Sequence, residues 1–484
     1  MRRGRWLRVA LGLATALGLA GCATNAATGR RQLNLYSEAE EIRMGREAYE
    51  QTLAEIPAIA DPALQAYVSG LGTKLASKSE RPGLPWTFTA VDDAAINAFA
   101  LPGGFIFVTR GLLTHLTSEA ELASVVGHEI GHVTAQHGVN QLSKQQVAMG
   151  GLVVGSILAP EIAGASDLAQ LGLGLLFLKY SRDDENQADG LGYRYALADG
   201  YEVREMPRVF AMFQKMEQVA QSGRLPNAFS THPDPGARKG RLNERIAREN
   251  PPPGEVAADA LFARVDGLAY GADPRQGYFE RGVFYHPEMQ FQWTPPVGWK
   301  HANESTRVVA ADAAGTAQVE LRLAEGRSAS EAAEKFLAQE GVENPTSNPR
   351  TLHGAPAVAA AFTAATDAGA GITGRALFVE HGGRVFALVG LALDSAWRAA
   401  GAGIESSLAS FARLADRDRL AVEPQRVRVV KLPRAMTFAD FLRRYPSEVD
   451  PARLALMNQI DDPARELAAG SLLKRVEGRK VGDE

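Results

Sequence analysis

His128-Glu129-Ile130-Gly131-His132 is the stretch on which the reading of this chain turns. Residues four apart lie on one face of a helix, so both imidazoles can reach a single ion. Glu129 stands one step round, close enough to hold a metal-bound water without ligating the metal. Leu122, Val126, Ile130 and Val133 recur at helical spacing and give the same helix a packing face. The two histidines follow Val126 and Ile130 by two residues, about 200° round the helix, and so face a cleft while the stripe anchors the other side. Ser118 and Glu121 form a capping box that opens this helix, which is expected to run to about Asn140.

Zinc takes four tetrahedral positions and a catalytic site keeps one for water, so a third protein ligand is required. No histidine stands in the H-E-x-x-H-x-x-G-x-x-H register; His137 falls outside it and reads as a surface residue. The better candidate lies in Tyr180-Ser181-Arg182-Asp183-Asp184-Glu185-Asn186-Gln187-Ala188-Asp189. Glu185 and Asp189 put two carboxylates on one helical face, which in isolation is usually a solvated face. Beside H-E-x-x-H, Glu185 can complete a His–His–Glu set. Asp189 can accept the outer N–H of a ligand imidazole and fix its tautomer.

Upstream, Ser37 and Glu40 form another capping box for a helix to about Ile56, and a second helix is expected over 61–79. Strands are expected over 86–91 and 103–108, the latter entered through a Pro-Gly-Gly turn. Downstream, helices are expected over 183–198, 204–222 and 236–249. An apolar stretch over 147–178, interrupted by Pro160, Glu161 and Asp167, reads as buried helices or a flap over a cleft, with membrane contact the lesser alternative, rather than a membrane span.

Four features in order carry a family resemblance over residues 37–249: Asn97-Ala98-Phe99-Ala100-Leu101-Pro102-Gly103-Gly104, the H-E-x-x-H, the S-R-x-x-E-x-x-A-D stretch, and Ser230-Thr231-His232-Pro233. Together they resemble the gluzincin metallopeptidases that include HtpX and the CAAX prenyl endopeptidases, especially the periplasmic BepA- and LoiP-like lipoprotein branch. The resemblance implies one Zn2+ held by His128, His132 and Glu185, with Glu129 as general base. It also implies a sheet edge at Gly103, Gly104, Phe105, Ile106 and Phe107, beside which a peptide can add as a further strand. His232 is implied either to stabilise the oxyanion or to approach the zinc and hold the site closed. Arg238 is implied to support the oxyanion or to position substrate. The expected activity is that of a metalloendopeptidase acting on misfolded or stalled envelope proteins, in quality control of outer-membrane protein assembly. An alternative is an envelope assembly factor or chaperone that holds unfolded chains in the cleft.

The expected architecture is multi-domain: a mainly α zincin-like metallopeptidase domain with a small β-sheet at 37–250, then an α+β domain, then a βααβ module. Pro251-Pro252-Pro253-Gly254 marks the first boundary, since consecutive prolines cannot continue a helix. Beyond it, strands and helices alternate over 259–415 as in an antiparallel α+β fold resembling the PsbP-like sandwich. Residues 425–484 read strand, helix, helix, strand and resemble a divergent LysM module, which implies either peptidoglycan binding or a structural cap.

The chain opens Met1-Arg2-Arg3-Gly4-Arg5, runs apolar over 9–20 and reaches Leu19-Ala20-Gly21-Cys22. This has the form of a secretory signal over 1–21. Leu-Ala-Gly-Cys resembles a bacterial lipobox, which implies a lipid on Cys22, a tether over 22–36 and a periplasmic protein anchored in a membrane. By the same resemblance, Ala23 after the cysteine favours the outer membrane, within reach of the outer-membrane assembly machinery. The single cysteine excludes an internal disulfide. A formal net charge of −4, from 52 basic and 56 acidic residues, argues against a nucleic-acid partner.

Overall fold

The computed structural model defines residues 22–25, 27–155, 180–220, 232, 234–366 and 369–482. The expected signal peptide and the expected flap from residue 156 onward lie outside the described residues, as do Ser230, Thr231 and Pro233. The expected tether does not run free. Strand β1 (Cys22–Thr24) pairs antiparallel with β2 (Arg31–Leu33), and Asn25 Nδ2 donates to Thr134 O at 3.3 Å. Ser37 then opens α1 (Glu38–Glu55) with the full capping box, Ser37 Oγ accepting from Glu40 N and Glu40 Oε2 from Ser37 N. Helix α2 (Pro62–Ala76) follows, with Asp61 as N-cap and proline at the first position, where its missing N–H costs nothing.

Strands β3 (Thr87–Val91), β4 (Ala98–Leu101) and β5 (Phe105–Thr109) form a sheet in the order β3-β5-β4. This corrects the expected edge. Phe105, Ile106 and Phe107 lie in the central strand, parallel to β3 and antiparallel to β4, and all of β5 is buried. The edge next to the cleft is β4. Gly103 and Gly104 belong to the preceding turn, with φ of 76° and 103°. A Cβ on Gly103 would stand 2.6 Å from Ile42 Cα, so the turn needs glycine for space as well as for conformation.

After α3 (Arg110–His115) comes α4 (Glu119–Thr134), the H-E-x-x-H helix. From Ala120 to Thr134 every residue of α4 is buried except Val125, as in a helix packed on all sides. The helix stops short of Asn140. Gln136 takes a positive φ of 57°, and a new helix, α5 (His137–Gly155), starts beyond it. Helices α6 (Arg182–Ala198), α7 (Met206–Ala220), α8 (Pro235–Glu249) and α9 (Ala258–Val265) complete this part.

The chain divides into two compact units, Met1–Gly271 with Arg426–Glu477, and Ala272–Gln425 with Gly478–Glu484. The second unit holds a seven-stranded antiparallel sheet and a four-stranded one. Alternation along Arg384–Leu393 explains how the larger sheet is covered. Phe386 and Leu388 join Ile404 and Leu408 of one helix, while Val385, Ala387 and Val389 join Ala329, Ala332 and Ala333 of another. Val283–His286 and Phe291–Trp293 form a hairpin turned at Gln290 with φ 55°. Two strands carried no apolar signal in the sequence: Lys300–Asn303 and Glu343–Leu352, both exposed edges.

Within the first unit, Arg426–Lys431 pairs antiparallel with Leu472–Glu477 around helices Phe438–Arg444 and Pro451–Met457. Lys474 fixes this βααβ segment to the rest of the unit. It is 0% exposed, and its Nζ donates to Thr114 O at 2.8 Å and Leu116 O at 2.7 Å. Burial pushes its ammonium down to about 7, against the opposing pull of the Glu121 carboxylate. Even the neutral amine has two N–H groups, one for each carbonyl. Lys474→Ala removes that donor and opens a cavity, which should cost about 2–4 kcal/mol. Urea unfolding of the full chain should show the loss, and an unchanged midpoint would contradict the anchoring.

Candidate metal centre

The site begins with how closely two helices approach. A Cβ on Gly131 of α4 would stand 2.9 Å from Ala188 O of α6, and one on Gly192 of α6 would stand 2.7 Å from His128 N. Only glycine at both positions lets the backbones come so near. Glu185 and Asp189, one helical turn apart on α6, are thereby brought under the two histidines of α4. Ser181 starts α6 with a capping box to Asp184, which fixes where the helix begins and so which way Glu185 faces.

His128, His132, Glu185 and His232 form a group whose donor atoms all lie within 4.8 Å of one another. His128 Nε2 and His132 Nε2 are 3.0 Å apart, and Glu185 lies 3.5 Å from the first and 3.6 Å from the second. His128 Nδ1 is 2.9 Å from Asp189 Oδ1. A carboxylate can only accept, so Nδ1 carries the proton and Nε2 turns a lone pair inward. His132 Nδ1 meets His137 Nδ1 at 3.0 Å. Burial, with the neighbouring His128, holds the His132 imidazole well below its usual pKa and hence neutral. Two inward nitrogens so close together suit a shared cation: ligands at about 2.0–2.1 Å in tetrahedral array stand roughly 3.3 Å apart. The donor set therefore fits a metal ion, with His128, His132 and Glu185 able to hold it.

The carboxylates differ in character. Burial alone would raise Glu185, but His232, His128 and Arg238 outweigh it and keep the group below its usual range. Burial also opposes ionisation of Asp189, yet Arg238 and His128 hold that carboxyl well below the ordinary value. For Glu129, 3% exposed, burial wins over His232 and His128, and its pKa is raised. His232 reaches between the two glutamates, with Nδ1 2.9 Å from Glu185 Oε1 and Nε2 3.8 Å from Glu129 Oε1.

Two residues stand where the sequence did not put them. His137 is buried against His132, with Nε2 3.7 Å from Asp184, so it is not a surface residue. The break at Gln136 turns it back toward the site; nothing in its spacing announced that. Arg238 is buried, and its guanidinium is committed: Nε and Nη2 contact Asp189 at 2.9 and 2.6 Å, and Nη1 lies 2.7 Å from Glu185. Its geometry is that of a clamp on the carboxylates, and it also lines the pocket beside Glu129. Tyr180, whose ring centroid is 4.0 Å from that of His132, is a further neighbour that ligand spacing could not reveal.

Residues 62–246 match the family model described as peptidase family M48. This part of the chain is thus similar to that family. The chain is 31% identical over 248 residues to the beta-barrel assembly-enhancing protease of Yersinia pestis, covering 48% of this chain and 50% of that one. It is 34% identical over 170 residues to the mitochondrial metalloendopeptidase OMA1 of Arabidopsis thaliana, covering 34% and 33%. The chain thus spans about half or less of these relatives' lengths. A solved structure of cyanobacterial PsbP from Synechocystis aligns with 27% of this chain and 91% of its own at 12% identity and a TM-score of 0.23, which carries no argument.

Asp189 Oδ1 contacts His128 on the ring nitrogen that faces away from the proposed metal position. Asp189→Ala should therefore weaken Zn2+ binding about 10–100-fold. Competition against a chromogenic chelator measures this, and wild-type affinity would show that His128 needs no such partner.

Proposed function

We propose that the chain is a zinc-dependent endopeptidase of the bacterial cell envelope, acting in quality control of outer-membrane protein assembly. The observation that carries it is the convergence of His128, His132 and Glu185 with Glu129 beside them inside an M48-like segment. Zinc bound there would act as a Lewis acid on a peptide carbonyl and make a neighbouring water easier to deprotonate. Glu129 takes the proton from the attacking water and returns it to the leaving amine; its raised pKa suits a group that must both accept and release. Asp189 keeps His128 in one tautomer, and Arg238 keeps Glu185 and Asp189 ionised and in place. His232 stands where either expected role is open to it, donating to an oxyanion or supplying a fourth donor that closes the site.

The names of the Yersinia and related proteases support substrates among outer-membrane proteins under assembly. The proposed setting is the periplasm, with the lipobox-like Leu19-Ala20-Gly21-Cys22 supplying a lipid anchor on Cys22, in the outer membrane by the identity of Ala23. Among the described residues no helix is long and apolar enough to cross a membrane, in keeping with attachment by lipid. Peptidoglycan and the assembly machinery remain proposed partners, and holding unfolded chains without cutting them is the alternative activity.

Glu129→Gln should keep about one zinc per chain and lose cleavage of an unfolded protein by at least 100-fold, the low end of what a general base contributes. His128→Ala should lose both. Cleavage by Glu129→Gln at the wild-type rate would remove Glu129 from the reaction. Comparing His232→Ala with wild type decides its role: a loss of activity assigns it to the oxyanion, a gain assigns it to closure. Cys22→Ser should move the chain from the membrane to the soluble fraction on cell fractionation.

A further inference from the structure

Val125 lies one turn before Glu129 on α4, the one residue between Ala120 and Thr134 that is not buried. It looks into a pocket that has His128 and Glu129 in its wall and continues to Ala98 of the edge strand β4. Opposite, Met206, Val209, Phe210 and Phe213 of α7 fall at i, i+3, i+4 and i+7, a helical stripe that lines the same pocket. Met206, Val209 and Phe210 are 2–5% exposed, so the wall is a packed apolar surface rather than loose side chains. Ser124, also in the lining, spends its hydroxyl on Ala120 O at 2.8 Å. Arg238 spends its guanidinium on Asp189 and Glu185, with its carbon 4.5 Å from the Phe210 ring centroid. The pocket floor and the carboxylates under the metal position are thus held by one side chain.

From this lining we infer that the pocket selects a bulky apolar side chain, leucine, methionine or phenylalanine, on a residue flanking the scissile bond. The inference rests on the peptidase reading and names the substrate feature which that reading leaves open. An apolar side chain here trades water for apolar contact, at about 25 cal/mol per Å2 buried. A charged one would be desolvated against groups already committed elsewhere. Main-chain pairing along β4 would hold the peptide extended so that this side chain drops beside Glu129. Such residues are the ones a folded protein keeps inside. The pocket therefore gives the enzyme a physical means of acting on unfolded chains and sparing folded ones, because only the former present an apolar side chain in an extended backbone.

The test uses the full chain with Zn2+ and a peptide series rich in Ser, Gly and Ala, with one central position occupied by Leu, Phe, Ala or Asp. Cuts mapped by mass spectrometry should fall next to Leu or Phe, with kcat/KM at least 10-fold above Ala and 100-fold above Asp. Val209→Phe, which fills the pocket, should reduce the Leu-to-Ala ratio at least 10-fold with zinc content unchanged. Val125→Phe, at a partly exposed position, should reduce the same ratio and serves if the buried substitution does not fold. Cutting by wild type with no apolar bias, or an unchanged ratio in both variants, overturns the inference while leaving the peptidase reading intact. No cutting of any peptide or unfolded protein by zinc-loaded wild type overturns the peptidase reading and this inference with it.

Discussion

The metal centre depends on the near-contact of α4 and α6. A His–Glu–x–x–His helix supplies two donors wherever it is found, but the third must come from another element at the right depth. Gly131 and Gly192 remove the side chains that would hold the helices apart, and Ala188 is small enough to sit in the gap. Any larger residue at either glycine would move Glu185 and Asp189 outward by the width of a methyl group or more. In a site whose donor atoms lie within 4.8 Å of one another, that displacement is the difference between a chelate and two separate surfaces. Glycine costs helix stability in isolation, roughly 1 kcal/mol each relative to alanine, and the packed contact offsets it.

The electrostatics follow from the same burial. Glu129, Glu185 and Asp189 are all within the interior, where unpaired carboxylates would take up protons. Arg238 resolves this for two of them and leaves the third out. Glu185 and Asp189 stay ionised because the guanidinium spans both. Glu129, with no such direct partner, is pushed upward. One cation placed on one side of the cleft thus separates carboxylates held ionised from one that is pushed upward, as the proposed ligand and base roles require. The same ion rests on the Phe210 ring, so the apolar pocket and the charged floor share a support.

Much of this site was legible before any coordinates. Spacing alone joined His128 to His132 and Glu185 to Asp189, because helical periodicity is local. The capping serines Ser37 and Ser118 fixed two helix starts for the same reason. What was not legible depends on turns and pairing over distance. The positive φ at Gln136 ends α4 early and swings His137 into the interior. The family resemblance put residues 103–107 at a sheet edge, and β-propensity could not order the sheet; the buried strand Phe105–Thr109 lies at its centre. Arg238 was found by motif, but its carboxylate partners, 49 and 53 residues away in the chain, could not be.

The βααβ segment raises a different question, because its fold and its surroundings point to different uses. The loop between its second helix and last strand packs against the rest of the unit. Here Gln459 of that loop donates to Glu121 Oε2 at 2.9 Å and touches Met212, while Asp461 pairs with Lys215. Met212 and Lys215 belong to α7, whose other face carries Val209 and Phe213 into the apolar pocket. Helix α7 is therefore shared, with pocket-lining residues on one side and the C-terminal segment on the other. Together with Lys474 under the carbonyls that precede Ser118, these contacts make the segment a support for both the metal-binding helix and the pocket wall. Any glycan contact would have to use surface that this packing leaves exposed, and a ligand that pulled the loop away would disturb the peptidase wall as well.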